Sequence, residues 1–400
     1  MNMFLAQASP EKLRTENIPL GSALNRVLAE AVVTSEDLPR FDRSAVDGYA
    51  VKAKDTQGAS QFKPRILRLS ATDIVGSNQA RELWTGNPLP RGADAVAMLE
   101  STKQIGDGKL EVWVRLTPGE NVSRKGEDLQ KGEIAVKAGV RLKPQHLGLL
   151  ASIGKTTVAV AEKPKAAVLV TGNELAPLGS ERRKNQIFDS NSVTICSLCR
   201  ELGAESVDLG IAKDDAEEIL RKLRVGLDKA DLILTTGGTS VGALDLVPEA
   251  VGKLGKPGII VHGVAMRPAM PTALALVNGK PVIILSGNPV AAMVAFEVFA
   301  RPLICKMLGM KRVESRPFVK AEMVRRVSTA LGRRTFVRVK VFREGEAFFA
   351  EPVSARGSGL LSTMTRANGY VVVPENREGI GQGEHVLVYL FDDLELSESV

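Results

Sequence analysis

Apolar and polar positions change rhythm along this chain. Between residues 163 and 310 short, wholly apolar runs alternate with amphipathic ones. AAVLVTG (166–172), VDLGIA (207–212) and DLILTT (231–236) read as strands. The all-apolar character of the first and last is that of strands covered on both faces. Between them, DSNSVTICSLCRELG (189–203) predicts a helix capped by Asp189 or Ser190. DDAEEILRKLRVGL (214–227) predicts a second, with Ile219, Leu220, Leu223 and Leu227 on one face and acids in its first turn. ALALVNGKPVIIL (273–285) is two apolar runs around Asn278-Gly279, a strong hairpin signal, and NPVAAMVAFEVFARPLI (288–304) reads as a buried helix. This is the pattern of an open, mostly parallel doubly wound sheet with helices on both faces.

The flanks keep a different rhythm. Residues 41–129 have short apolar runs broken by turn residues, predicting a small β-rich domain. GEIAVKAGVRLKPQHLGLLASIG (132–154) reads as strand, turn and short helix. From residue 315 onward, RTFVRVKVF, YVVVP and HVLVYLF alternate as half-buried strands joined by Gly-rich turns, which fits a small barrel or sandwich. The expected division is 1–40 with 130–162, a discontinuous linking domain; 41–129, β-rich; 163–312, α/β; and 313–400, C-terminal β.

Open α/β sheets bind ligands beyond the carboxyl ends of their strands. Three polar, Gly-bearing loops fall at that rim: TGNEL (171–175), TTGGTSVGALD (235–245) and SGNP (286–289). In the second, the N–H groups of Gly237, Gly238 and Gly242 suit a phosphate, with Thr239 and Ser240 as hydroxyl donors. It is neither a P-loop nor a dinucleotide fingerprint. Elsewhere FDRSAVDGYAV (41–51), WTGNPLPRGADAVAMLE (84–100) and SRKGEDLQKGE (123–133) concentrate polar groups; taken singly, each is a solvated turn.

Composition narrows the function classes. With 44% hydrophobic and 25% charged residues, the 400-residue chain is that of an ordinary globular protein. Aromatics at 4% leave no stacking platform for single-stranded nucleic acid. The net charge of +7 favours anions, but its charges are interspersed rather than arranged as a nucleic-acid stripe. Three cysteines exclude a disulfide framework; Cys196 and Cys199 form a C-x-x-C inside a predicted helix and read as core residues. The three histidines have no metal-ligand spacing. No signal peptide or membrane span is expected, and the chain reads as cytoplasmic.

In order, FDRSAVDGYA, TGNPLPRGADAV, GEDLQKGE, PQHLGLLASIG, VLVTGNEL, TTGGTSVGALD, SGNPVAAMVAF and MTRANGYVVVP closely resemble the molybdopterin molybdenumtransferase family, which includes the E domain of gephyrin. The resemblance spans roughly residues 5 to 395. It implies an elongated four-domain subunit and a homodimer. It implies insertion of molybdate into adenylylated molybdopterin, with release of AMP and formation of molybdenum cofactor. The active cleft would lie between the α/β domain of one subunit and the β-rich domain of the other. Asp47, Thr85, Asp128, Glu174 and Asp245 would be its catalytic residues. Thr236, Gly237, Gly238, Thr239, Ser240, Gly242, Arg267, Ser286, Gly287, Asn288, Pro289 and Arg366 would bind the substrates. Asp47, Asp128, Glu174 and Asp245 are poor neighbours for a phosphate unless a cation intervenes; hard oxygen ligands beside phosphate point to Mg²⁺. The pterin adenylyltransferase and apo-molybdoenzymes are the further partners implied.

One segment departs from the family. RPAMPT (267–272) stands where Lys-Pro-Gly-Lys-Pro is usual, so Ala269 and Met270 replace the glycine and second lysine; Ser286 stands where proline is common. A specialised or non-catalytic paralogue that binds pterin cofactor or a protein partner is the alternative expectation. Adenylylation of the pterin is a third, opposed by the flanking domains, since that enzyme is a single α/β domain.

Overall fold

The computed structural model describes residues 4–5, 8, 14–238, 246–310, 316–354 and 359–396. The chain forms two compact units, Asn17–Val160 and Met1–Glu16 with Ala161–Val400. Among the described residues no helix is long and apolar enough to cross a membrane.

Among the described residues the unit Asn17–Val160 holds three apolar clusters, the smallest formed by Ala50, Leu83 and Val96. Its strands are short: β1 (Arg43–Ser44), β2 (Gly48–Val51), β3 (Arg65–Leu69), β4 (Gln79–Leu83), β5 (Ala95–Met98), β6 (Thr102–Ile105), β7 (Lys109–Val112) and β8 (Val122–Ser123). Six form a sheet in the order β5-β2-β4-β3-β7-β6, while β1 pairs with β8. Val51, Leu67, Ala80, Leu110 and Val112 fill the first core. The second gathers Ala23 and Leu28 from before the sheet with Val136, Leu142 and Leu150 from after it, around α1 (Pro144–Ser152). Pro144 opens that helix, where its missing N–H costs nothing.

In the other unit, β9 (Lys165–Thr171), α2 (Asn191–Glu201), β10 (Glu205–Ala212), α3 (Ala216–Lys229), β11 (Leu232–Thr236), α4 (Leu246–Leu254), β12 (Pro257–His262), β13 (Met266–Arg267), β14 (Ala273–Val277) and β15 (Lys280–Leu285) follow in sequence. The sheet order is β10-β9-β11-β15-β14-β12. Its first four strands are parallel, and β14 and β12 add an antiparallel edge. Asn278 and Gly279 turn β14 into β15 with φ of 51° and 82°, the left-handed pair that a two-residue hairpin needs. Asp189, not Ser190, caps α2: its Oδ1 accepts from the Ser192 N–H at 3.0 Å. Asp215 caps α3 through the Glu218 N–H at 2.8 Å. Ile219, Leu223, Val247 and Val251 pack with Ala167, Leu169 and Ile233 in one core. Ala166, Val168, Leu232 and Leu234, of opposite parity, are buried too, so both sheet faces are covered.

The segment 288–304, expected as one helix, is α5 (Pro289–Ala295), a π turn (Phe296–Ala300) and α6 (Arg301–Met307). Pro302 has no N–H to give the carbonyl four residues back and its ring crowds that carbonyl, so the helix widens for one turn.

The C-terminal strands β16 (Phe318–Met323), β17 (Arg334–Glu344), β18 (Ala347–Ser354), β19 (Gly369–Val373) and β20 (His385–Leu390) close on themselves. The circuit β17-β18-β16-β20-β19-β17 is a five-stranded barrel rather than a sandwich. Val337, Val339 and Val341 alternate inward with Ala350, Val371 and Val388. A short helix, α7 (Ser362–Arg366), precedes β19. One seam joins sheet and barrel: β13 pairs in parallel with the start of β17, Met266 opposite Arg334 and Arg267 opposite Thr335.

Candidate functional site

Register brings the three loops of the α/β sheet to one rim. Val170 pairs with Thr236, and Thr236 with Leu285, so β9, β11 and β15 end level. Gly237, at φ 89°, passes so close to β9 that a Cβ would stand 2.4 Å from the Thr171 carbonyl oxygen. Gly238, at φ 65°, would drive a Cβ to 2.6 Å from Val247 Cγ2. No other residue fits either place. A Cβ on Gly287 would lie 3.3 Å from Gly237 Cα, so the second and third loops touch. Thr236 is fully buried, and Ser286, 6% exposed, accepts from the Asn288 N–H at 3.3 Å. Pro289 starts α5. Thr239, Ser240, Gly242 and Asp245 lie outside the described residues.

Two rim residues escaped the sequence reading. Asn191, the first residue of α2, is 7% exposed; its Nδ2 donates to the Gly287 carbonyl at 2.8 Å and to Thr236 Oγ1 at 3.3 Å. It ties the loops after β11 and β15, and its Oδ1 has no partner. Only the amide nitrogen can face a carbonyl, which fixes its orientation. The signal was present as Asp-Ser-Asn, but it reads as a capping sequence. Asp214 follows β10: its N–H donates to Asn173 Oδ1 and its Oδ2 accepts from the Asn173 N–H, both at 3.2 Å. That exchange fixes the loop holding Glu174. Glu174 is exposed and turns back over Gly172, its Oε1 lying 2.7 Å from where a Gly172 Cβ would be. Among the described residues the Glu174 carboxylate has no hydrogen-bond or ion-pair partner.

Beside the rim lies a cleft of about 380 Å³, lined on the sheet side by Arg267, Ala269, Met270, Ser286 and Asn288. The barrel lines the other side with Arg333 and Arg338. Among the described residues no carboxylate lines it. Arg338 is 5% exposed, and burial pulls its pKa below the ordinary arginine value. An arginine remains a cation through such a shift. Arg338 was missed because it reads as an exposed position of the alternating strand RTFVRVKVF, and Arg333 because it reads as a turn residue just before that strand. Arg366, expected at the substrate, is not among the lining residues; in α7 its Nε donates to the Ser362 carbonyl at 3.2 Å. The loop before α7 does reach the rim, since a Cβ on Gly359 would lie 3.6 Å from Asn288 Oδ1.

In the other unit, three polar turns are stitched together. The Ser44 N–H donates to the Asn87 carbonyl at 3.0 Å, the Leu89 N–H to the Asp42 carbonyl at 2.8 Å, and the Lys125 N–H to Asp42 Oδ1 at 2.8 Å. At their meeting point Asp47 Oδ1 accepts from the Thr85 N–H at 2.8 Å and from Thr85 Oγ1 at 2.7 Å. These two bonds hold the Asp47 carboxyl below its ordinary pKa. Glu127 is lowered the same way, by the Ser123 hydroxyl and then the Arg124 N–H. Asp128 is exposed; its N–H donates to the Leu38 carbonyl at 3.0 Å, and its carboxylate has no partner among the described residues. Asp47 and Thr85 thus form one group, with Asp128 on the adjoining turn. Among the described residues no three His, Cys, Asp or Glu side chains converge as a metal cluster. Cys196, Cys199 and Cys305 are buried, and burial pushes Cys199 up to about 12.

Comparison with known proteins matches the chain from end to end. Residues 1–154 match the MoeA N-terminal region (domain I and II), residues 167–306 the probable molybdopterin binding domain, and residues 320–391 the MoeA C-terminal region (domain IV). A molybdopterin molybdenumtransferase from Staphylococcus aureus (strain COL) is 34% identical, over 93% of this chain and 90% of that one. One from Haemophilus influenzae is 32% identical over 96% of both chains. The crystal structure of a molybdopterin biosynthesis moeA protein from Pyrococcus horikoshii OT3 covers 97% of this chain and 98% of its own, at 32% identity and a TM-score of 0.83.

Proposed function

The chain belongs to the molybdopterin molybdenumtransferase family, enzymes of molybdenum cofactor biosynthesis, and we propose that it inserts molybdate into adenylylated molybdopterin, releasing AMP. The observation that carries this reading is the double position of the 286–289 loop. Gly287 packs on the glycine loop after β11, which suits the phosphate, while Ser286 and Asn288 line the arginine cleft, which suits an oxyanion. Metal transfer needs those two ligands side by side, because dithiolene sulfurs must replace oxygens of the molybdate. Arginines present fixed forks of N–H donors to a tetrahedral oxyanion.

Mg²⁺ fits the donor set at the rim. Mg²⁺ is commonly held by one or two carboxylates with substrate phosphate and water completing its shell, so three convergent acids are not required. The Glu174 carboxylate, unpartnered among the described residues and on the loop anchored by Asp214, is such a donor, and Asp245 would be another. A bound Mg²⁺ would neutralise charge building on the phosphoanhydride. The chain's own groups then have separable tasks. Gly237 and Gly238 let the chain run close to the phosphate, Asn191 fixes the two loops against each other, and the arginines hold the oxyanion.

The same reading keeps the four-domain division at 1–40 with 130–162, 41–129, 163–312 and 313–400, and a homodimer in which Asp47, Thr85 and Asp128 of one subunit complete the site on its partner. The deciding experiment is incubation of purified protein with adenylylated molybdopterin, Mg²⁺ and molybdate. AMP release that depends on molybdate is expected. Tight pterin binding with no AMP release in any molybdate concentration would replace this reading with a cofactor-binding paralogue.

A further inference from the structure

The cleft beside the rim is charged unevenly. Its sheet side brings one cation, Arg267, and at position 270 a methionine that is 39% exposed and offers neither charge nor a strong donor. Its barrel side brings Arg333 and Arg338. We propose that Arg333 supplies the oxyanion-binding charge that position 270 lacks, so that a tetrahedral dianion is gripped between Arg267 and the barrel. This rests on the function proposed above and names a residue that determines its oxyanion affinity.

Arg333 is placed by the seam. The Arg334 N–H donates to the Ala265 carbonyl at 2.9 Å, and Arg334 stands opposite Met266, so Arg333 sits at the edge of the segment that runs on through Arg267 to Met270. The two neighbours have opposite fates. Arg334 is neutralised, its Nε 3.2 Å from a Glu375 carboxylate oxygen. Arg333 is exposed, and its guanidinium has neither an ion pair nor a hydrogen bond among the described residues; the same is true of Arg267. Like charges repel, and the Arg267 and Arg333 guanidiniums line one cleft that holds no carboxylate among the described residues. A dianion relieves that repulsion, and the flexible stem of Arg333 lets its fork meet two oxygens at once. Ser286 and Ser328 add hydroxyl donors. At about 380 Å³ the cleft also leaves room beside the oxyanion for the group that takes the metal.

The test is a molybdate titration of AMP release at saturating pterin substrate, paired with calorimetric titration of molybdate into each protein without the pterin. Arg333→Ala should raise the half-saturating molybdate concentration by ~10- to 100-fold, leaving that for the adenylylated pterin within a few-fold. Adding Met270→Lys to Arg333→Ala should restore most of the loss by returning a charge to the other side of the cleft. Arg334→Ala should titrate like the wild type. Wild-type molybdate affinity in Arg333→Ala, or an equal loss of affinity for both substrates, would overturn the proposal. So would a wild-type protein that binds no molybdate in calorimetry. Molybdate binding that depends on Arg333 without AMP release would keep this inference and sink the transferase reading.

Discussion

Ala269 adopts φ 87° and is 3% exposed, its carbonyl accepting from the Thr272 N–H at 3.2 Å and from Thr272 Oγ1 at 2.8 Å. The glycine usual in the family at this place is therefore explained by backbone conformation. An alanine bears this at about 1 kcal/mol, a strain its buried methyl and stiffer unfolded chain offset. Ala269→Gly should thus change stability by less than ~1 kcal/mol, while Ala269→Val should cost ~2 kcal/mol or more, since a branched Cβ tolerates neither that φ nor the space. Denaturant midpoints decide it; a valine variant as stable as the alanine would show that the turn relaxes freely. Asp47 makes a second residue-scale prediction. Its carboxyl lies below 3.8 because Thr85 donates to the charged form. A depressed folded pKa adds stability that is present above 3.8 and fades as pH falls through the folded value. Thr85→Val removes the hydroxyl bond and leaves the N–H bond, so the midpoint should move up but stop short of 3.8. Carboxyl-detected NMR titration of Asp47 in both proteins measures this, and coincident midpoints would refute it. Residue types were legible in the sequence, including the departures at 269 and 270, but their neighbours were not. Arg338 becomes a cleft residue only because β17 joins the seam to β13.

At the scale of elements, α2 carries two features that sequence reads differently. Cys196 and Cys199 look like a redox or zinc motif by spacing alone. On the helix they are 4% and 0% exposed, and burial raises both thiols, Cys199 to about 12. A thiol so protonated is neither a nucleophile nor a ready metal ligand. Changing both to Ala should leave no zinc to lose, preserve turnover, and cost ~1–3 kcal/mol of packing. Native protein should react with a disulfide reagent only at the rate of unfolding. Stoichiometric zinc in the wild type that disappears in the double variant would overturn this. The same helix begins with Asn191, whose function lies in what it touches across the sheet. This contrast shows which parts were legible. Hydrophobic period, the Asn278-Gly279 turn and the acidic first turn of α3 are local, and each gave its element. The π turn before Pro302 was hidden because apolar periodicity continues through it. Barrel closure was hidden because β17 pairing with both β18 and β19 joins residues far apart in sequence.

For the whole molecule, the candidate carboxylates fall on both units of the chain, Asp47 and Asp128 in Asn17–Val160 and Glu174 in Ala161–Val400. The proposed homodimer turns this division into an experiment. Asp47→Ala and Glu174→Ala each remove an exposed or loop carboxylate and no core packing, so each chain should fold. Each homodimer should lose turnover by orders of magnitude, as loss of a metal ligand or a group positioning one does. If Asp47 of one subunit serves the Glu174 rim of its partner, a mixed dimer contains one site with both defects and one with none. Equal mixing with free subunit exchange makes half the dimers mixed, each with one intact site of two, so turnover should return to about a quarter of wild type. If both residues serve a site within one subunit, every site in every dimer carries one defect and mixing restores nothing. Differently tagged chains allow the mixed dimer to be isolated, where about half the wild-type turnover is expected. A purified mixed dimer as inactive as its parents would place the two carboxylates in the same subunit's site or remove one of them from catalysis. A sedimentation measurement showing only monomer during turnover would remove the shared site altogether.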